Sequence, residues 1–171
     1  MKVAAGLTAV LVAALAQVAV APLFPVGGAV ANGALIVLAG VALVLGPLAA
    51  MVALPLLCVF QGFASDRSPG LLLIAYLPLL PVATLVEEAR LPGNRFIRML
   101  TAVAVVGAWA RLVLAGAAFI QGAAFTPGAL VRELVIPGLF LDIGLFALAY
   151  LPPRAVGWTP QRLTLRRAGR Y

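Results

Sequence analysis

The sequence predicts an all-α integral membrane protein whose six transmembrane helices form one compact bundle. Three observations carry this prediction: an apolar composition, successive apolar runs of spanning length, and basic residues gathered at one side of those runs. Hydrophobic residues make up 64% of the 171 residues and charged residues 10%, and the mean hydropathy is +1.16. About a quarter of a soluble domain is charged. So few charges could not cover a soluble surface, and lipid is the expected solvent.

The apolar runs predict six spans, separated by proline, glycine and polar residues. They cover about residues 3–20, 29–45, 48–64, 71–86, 99–120 and 130–151. A hydrocarbon core of ~30 Å needs about 17–25 helical residues, so the second and fourth spans are marginal. Pro78 and Pro81 should kink the fourth span, and Pro152 and Pro153 should end the sixth. The first run also resembles a secretory signal, but Pro22 after the possible cleavage site favours an uncleaved helix.

The basic residues predict the orientation of these spans. With a cytoplasmic N-terminus, the outer side receives Arg67 and Arg132, and the cytoplasmic side receives nine basic residues: Lys2, Arg90, Arg95, Arg98, Arg154, Arg162, Arg166, Arg167 and Arg170. An excess of basic residues marks the cytoplasmic side. We therefore expect both termini in the cytoplasm, a transmembrane domain over residues 1–151, and a basic tail over residues 152–171.

The basic tail has two interpretations. Its arginines can touch anionic lipid headgroups and fix the topology, or they can dock a cytoplasmic protein. Arg162, Arg166 and Arg167 are the candidate contacts. The net charge of +7 does not indicate nucleic acid, because the basic residues lie mostly at the ends of apolar segments.

The sequence offers little catalytic chemistry. It contains no histidine, and its one cysteine, Cys58, lies in an apolar run and is interpreted as packing. An internal disulfide, a zinc site built on Cys or His, and a Ser-His or Cys-His nucleophile pair are therefore excluded. We find no phosphate-binding or nucleotide-binding loop and no carboxylate pair at a catalytic spacing. The prediction is a protein without catalytic residues, cofactors or metal ligands.

Arg111 and Asp142 are the charged residues that deserve a hypothesis, because each lies near the centre of a span. At 1.5 Å per residue, Arg111 is about 20 Å beyond Arg98 and Asp142 about 18 Å before Arg154, so both lie at a similar depth. They are a candidate intramembrane ion pair that fixes helix register. The other interpretation is a polar site for a substrate or a proton.

Other polar residues lie in or near the spans. Arg132 and Glu133 open the sixth span on the outer side, where they either contact a partner or mark the interface. Gln17, Asn32 and Gln61 are expected to form hydrogen bonds between helices.

The end of the third span resembles a known family. It reads Gln61-Gly62-Phe63-Ala64-Ser65-Asp66, and a short loop with Pro69-Gly70 opens the next helix. This pattern resembles the bacterial rod shape-determining protein MreD family, in which a Gly-xxx-Asp element ends a helix before such a loop. Gly62, Asp66 and Gly70 match it. The six spans, short loops and basic cytoplasmic end extend the resemblance along nearly the whole chain.

The resemblance implies a non-enzymatic scaffold of the cell-elongation complex in the bacterial cytoplasmic (inner) membrane. Members of this family associate with MreC, a single-span protein, in an assembly with MreB, RodA and a class B penicillin-binding protein that makes peptidoglycan. The family is also thought to share the fold of the substrate-binding subunits of energy-coupling-factor vitamin transporters. A transport subunit of that type is therefore the alternative function.

Overall fold

The computed structural model describes residues 8, 11, 12, 14, 15, 17–19, 23, 25, 29–88, 95–124 and 126–155. This part of the chain is almost entirely helical. The main helices are α1 (Gly33–Leu45), α2 (Pro47–Ser65), α3 (Pro69–Tyr76), α4 (Leu79–Glu88) and α5 (Arg95–Ile120). The short α6 (Pro127–Ala129) and a π-helical turn (Leu130–Val135) then lead into α7 (Ile136–Ala155).

Four helical segments of the described chain are long and apolar enough to cross a membrane: Pro47–Ser65, Pro69–Val86, Phe96–Ile120 and Leu130–Tyr150. Their outward faces are apolar, with Phe63 82%, Phe140 71% and Leu148 68% exposed. Soluble monomers rarely expose large apolar surfaces of this kind. The described chain is therefore a helical bundle of the membrane type.

The predicted second span is wrong at its start. Helix α1 begins at Gly33, whereas the apolar pattern placed the start near residue 29. Residues 30–32 are not helical. With 13 residues α1 is about 20 Å long, which is too short for a hydrocarbon core of ~30 Å. Gly46, with φ 95°, makes a tight turn into α2, and its N–H donates to the carbonyl of Ala42.

The predicted fourth span is interrupted where its first proline lies. Helix α3 stops at Tyr76 and α4 starts at Leu79, with a turn at Leu77 and Pro78 between them. Proline has no backbone N–H, so Pro78 cannot bond the carbonyl of Ile74 one turn earlier. The indole N–H of Trp109 on α5 donates to that carbonyl at 3.2 Å instead. This contact explains how the break is tolerated in an apolar region.

The predicted end of the sixth span is also wrong. Helix α7 continues to Ala155, past Pro152 and Pro153. A proline near the end of a helix removes only the bond to the carbonyl one turn earlier and keeps a helical φ, so the backbone can continue for a few residues. The predicted first span, residues 3–20, lies mostly outside the described residues.

The buried centre of the bundle lies between α1, α2, α3, α5 and α7, with the start of α4 packed against it. Its fully buried apolar side chains include Leu35, Leu38, Leu57, Leu72, Leu79, Val103 and Val106. Successive crossing helices alternate in direction, so the turns at 66–68 and 121–124 lie at one end of the bundle. We call this the Asp66 end and the opposite end, where α5 begins, the Phe96 end.

Candidate functional site

The structure brings Arg111 and Asp142 together. The NH1 nitrogen of Arg111 lies 2.5 Å from Oδ2 of Asp142. Asp142 is fully buried and Arg111 is 6% exposed. The guanidinium also donates to two carbonyl oxygens, that of Gly107 at 3.2 Å and that of Val30 at 3.5 Å. A buried charge needs such a partner and such hydrogen bonds to offset its desolvation.

Two glycines make room for this pair. A Cβ atom at Gly138 would overlap the guanidinium of Arg111, and a Cβ atom at Gly107 would come within 3.0 Å of Oδ2 of Asp142. Gly138 lies four residues before Asp142 on α7, and Gly107 lies four residues before Arg111 on α5. Residues four apart share a helix face. These two glycines therefore allow α5 and α7 to approach each other closely at the ion pair.

The second carboxylate oxygen of Asp142 binds the start of α1. Its Oδ1 accepts the backbone N–H of Asn32 at 2.7 Å. Asn32 in turn caps α1, because its Oδ1 accepts the N–H of Leu35 at 3.2 Å. A helix N-terminus carries partial positive charge and unpaired N–H groups, so a carboxylate beside it is stabilising. Asp142 thus joins the guanidinium on α5 to the first residues of α1.

Gln17 completes the set of partners at the start of α1. Its Oε1 accepts the N–H of Gly33 at 2.5 Å and that of Ala34 at 3.4 Å, while its Nε2 donates to the carbonyl of Ala31 at 2.8 Å. The backbone donors from Asn32 to Leu35 therefore all have acceptors inside the protein. This explains how a helix can begin within an apolar bundle.

The polar chain continues from Asn32 towards the Asp66 end. The hydroxyl of Tyr76 donates to Oδ1 of Asn32 at 3.1 Å, and Nε2 of Gln61 donates to the hydroxyl of Tyr76 at 3.5 Å. All three side chains are buried. We call Gln17, Asn32, Gln61, Tyr76, Arg111 and Asp142 the polar core. It connects α1, α2, α3, α5 and α7.

The polar core can hold helices in register, since each oxygen of Asp142 already has a donor from the chain. Among the described residues there is no group of three or more His, Cys, Asp or Glu side chains that could hold a metal ion. The substrate or proton interpretation of the ion pair remains a hypothesis.

The other predicted contacts lie apart from the polar core or outside the described residues. Arg132 and Glu133 are exposed, on the π-helical turn that opens the last span. Such turns occur often at functional sites. Arg162, Arg166 and Arg167 lie outside the described residues.

The family-like motif forms the turn at the Asp66 end. Asp66 ends α2 in the left-handed conformation, with φ 54°, and the N–H of Arg67 donates to the carbonyl of Gly62. A Cβ atom at Gly62 would lie 2.8 Å from Cγ of Pro69 and 2.9 Å from the carbonyl oxygen of Arg67. At Gly70 it would meet only Ser68, at an ordinary 3.7 Å. The turn therefore requires a glycine at Gly62 and has no such steric need at Gly70.

Tyr76 and Gly138 were not predicted from the sequence as parts of the site. Tyr76 is 2% exposed and carries a hydroxyl, and buried hydroxyls need a partner. Gly138 lies one turn before Asp142 in an apolar run. A glycine in that position could have predicted that another side chain packs closely beside the carboxylate. The Asn32-Gly33 step, a favourable start for a helix, could also have moved the predicted start of α1.

Comparisons of the chain with protein-family models, with curated proteins and with solved structures find no match. The chain is thus a membrane-type helical bundle with a buried ion pair between Arg111 and Asp142.

Proposed function

We propose that the protein is a non-enzymatic membrane scaffold of the MreD type, which binds MreC and helps organise peptidoglycan synthesis and cell shape. The observation that carries the proposal is the ion pair at the centre of the polar core, whose partners all belong to the chain. Both oxygens of Asp142 and the guanidinium of Arg111 bind groups of the chain itself. Charges used in this way stabilise a fixed arrangement of helices, and a fixed surface is what a scaffold needs.

The geometry of the turn at the Asp66 end supports the resemblance behind this proposal. Gly62 faces the returning chain so closely that a side chain would collide with it, and Asp66 adopts a conformation that few residue types accept readily. The geometry of the turn thus explains the residue types at Gly62 and Asp66, two of the three positions of the shared pattern. Similar turns would explain its presence in proteins of one fold.

The proposal includes a location and further partners. We place the protein in the bacterial cytoplasmic membrane with both termini in the cytoplasm, following the positive-inside bias. The Asp66 end then faces outward, where the periplasmic domain of MreC lies. MreB, RodA, a class B penicillin-binding protein and anionic lipids are the other proposed partners.

The test is an affinity purification of the tagged protein from solubilised native membranes, with mass spectrometry of the co-purifying proteins. We expect a single-span protein with a periplasmic coiled coil, together with cell-wall synthases. Recovery of ATPase subunits and a large coupling subunit would overturn the scaffold proposal. Recovery of neither set would contradict both candidate functions.

A charge reversal can test the predicted outer contacts. Arg132→Glu combined with Glu133→Arg keeps the net charge and changes two exposed side chains. If these residues contact the partner, we expect the yield of the single-span protein to fall while thermal stability stays the same. Gln121→Ala, also exposed at the Asp66 end, is the matched control. An unchanged yield would mean that the two charges only mark the interface.

A second candidate, the substrate-binding subunit of an energy-coupling-factor vitamin transporter, is favoured by one observation. Helix α1 begins inside the bundle beside buried polar groups, and interrupted helices are common at transporter sites. The carboxylate of Asp142 already occupies the N-terminus of this helix, which weighs against an anionic substrate there. The same purification separates the two candidates.

A further inference from the structure

Gln61 has a buried oxygen that the polar core does not use. The residue is 5% exposed and lies on α2, one turn before Ser65 and about 6 Å from the Asp66 end. Its amide nitrogen donates to the hydroxyl of Tyr76. Its Oε1 has no hydrogen-bond partner in the part of the chain that the structure describes.

The direction of the neighbouring hydrogen bonds fixes which end of the amide is left over. A tyrosine hydroxyl has one hydrogen, and Tyr76 donates it to Oδ1 of Asn32. That Asn32 atom must be the oxygen, because it also accepts the N–H of Leu35. Tyr76 can therefore only accept from Gln61, so the amide nitrogen of Gln61 faces it and the oxygen is the unpaired atom.

Among the residues that the structure describes, no side chain donates a hydrogen bond to this oxygen. The hydroxyl of Ser65 is directed to the backbone carbonyl of Gln61, at 2.6 Å. Leu57 has no donor, and Cys58 has only the weak S–H group. An unpaired amide oxygen in apolar surroundings is unfavourable. The contact between Gln61 and Tyr76 is also long for a hydrogen bond, at 3.5 Å. The hydroxyl oxygen of Tyr76 has a second lone pair beside this contact, which can accept another hydrogen bond.

We propose that Gln61 and Tyr76 form a binding site for a water molecule near the Asp66 end of the polar core. The water donates one hydrogen to Oε1 of Gln61 and the other to the hydroxyl oxygen of Tyr76. The polar core is then hydrated at this end, and the water is linked to Asp142 through three hydrogen bonds, by way of Tyr76 and Asn32. This inference does not depend on the scaffold function.

The test uses the unmodified protein in lipid nanodiscs. Short X-ray pulses convert bound and bulk water into hydroxyl radicals, which label tyrosine rings next to them, and mass spectrometry gives the rate at each ring. Tyr150 is the internal control, since it is buried among Phe96 and Phe146. Tyr76 is 2% exposed and Tyr150 7%, so exposure alone favours labelling of Tyr150. With the water in place, we expect Tyr76 to be labelled severalfold faster than Tyr150 despite its lower exposure. A Tyr76 rate no higher than that of Tyr150 overturns the proposal.

The variant Gln61→Met links the labelling to Gln61. Methionine has a similar length and no strong acceptor, so the water loses one of its two acceptors. We expect the Tyr76 rate to fall to about that of Tyr150, whose own rate should not change. An unchanged Tyr76 rate would place the water elsewhere and contradict the proposed site. If the variant does not fold, the comparison of the two tyrosines in the unmodified protein still decides.

Discussion

Helices α5 and α7 are joined at two levels by different chemistry. Near mid-helix, Arg111 pairs with Asp142. Towards the Phe96 end, the rings of Phe96 and Tyr150 lie 4.7 Å apart at an interplanar angle of 32°, and those of Phe96 and Phe146 lie 6.1 Å apart at 8°. Phe146 and Tyr150 follow Asp142 by four and eight residues, so the three side chains share one face of α7.

The difference between the two contacts lies in what remains when one partner is lost. The ion pair has directional bonds that accept one alignment of α1, α5 and α7, and the loss of either charge leaves the other buried without a partner. The aromatic contact is less directional, and a smaller apolar side chain there leaves only a gap. We therefore expect the ion pair to determine the register of the helices and the aromatic rings to add packing energy between α5 and α7.

The largest expected effect is that of Asp142→Asn. The change keeps the shape of the side chain but leaves the charge of Arg111 uncompensated, and we expect a loss of about 3–5 kcal/mol in the free energy of unfolding. Arg111→Met should have a similar effect. Fluorescence-detected gel filtration after heating would show the loss as a lower melting temperature. The double variant should be milder than either single one, because no buried charge then remains. If both single variants match the unmodified protein, the pair does not contribute to stability.

Gly138→Ala tests the space beside the ion pair. The added Cβ would overlap the guanidinium of Arg111, and overpacking of this kind costs about 1–3 kcal/mol. We expect a lower melting temperature in the same assay. Gly144→Ala is the matched control on the same helix, because a Cβ there meets nothing within 4 Å. Equal losses in both variants would indicate a general effect of alanine on α7.

Asn32→Ala removes the side-chain cap of α1 and the acceptor of the Tyr76 hydroxyl. Loss of a capping side chain costs about 0.5–2 kcal/mol. We expect a loss near the upper end, because the hydroxyl of Tyr76 also loses its acceptor. Asn32→Ser keeps a capping oxygen and should retain much of the stability. If serine and alanine behave alike, the side chain of Asn32 does not cap the helix in solution.

The smallest expected effect is that of Phe146→Leu, in the aromatic contact. An aromatic pair contributes about 0.5–1.5 kcal/mol beyond its buried area, and leucine fills much of the volume. We expect a loss of about 1 kcal/mol, well below that of Asp142→Asn. Phe140→Leu is the control, since Phe140 lies on the outward face of α7. If Phe146→Leu lost as much stability as Asp142→Asn, the aromatic contact would contribute as much as the ion pair, contrary to this comparison.

The sequence was informative about Arg111 and Asp142 for a simple reason. A charge in an apolar run is visible, and a helix converts residue spacing into depth. The start of α1 was not predictable in this way. Apolar residues lie on both sides of Asn32 and Gly33, so the pattern alone gives only a weak signal, and the helix begins at Gly33 because Gln17 and Asp142, distant in sequence, bind the backbone there. The proline at Pro78 predicted the break in the fourth span, but the Trp109 contact that compensates for it depends on how α5 packs.

The bond between Asn32 and Asp142 has a consequence for biosynthesis. Its two residues are 110 positions apart in the chain. The backbone N–H of Asn32 enters the membrane long before its acceptor has been translated, and contacts of such long range form late. The start of α1 therefore lacks one of its hydrogen bonds until the last span is inserted. The final span is thus the element that completes assembly of the first half of the protein.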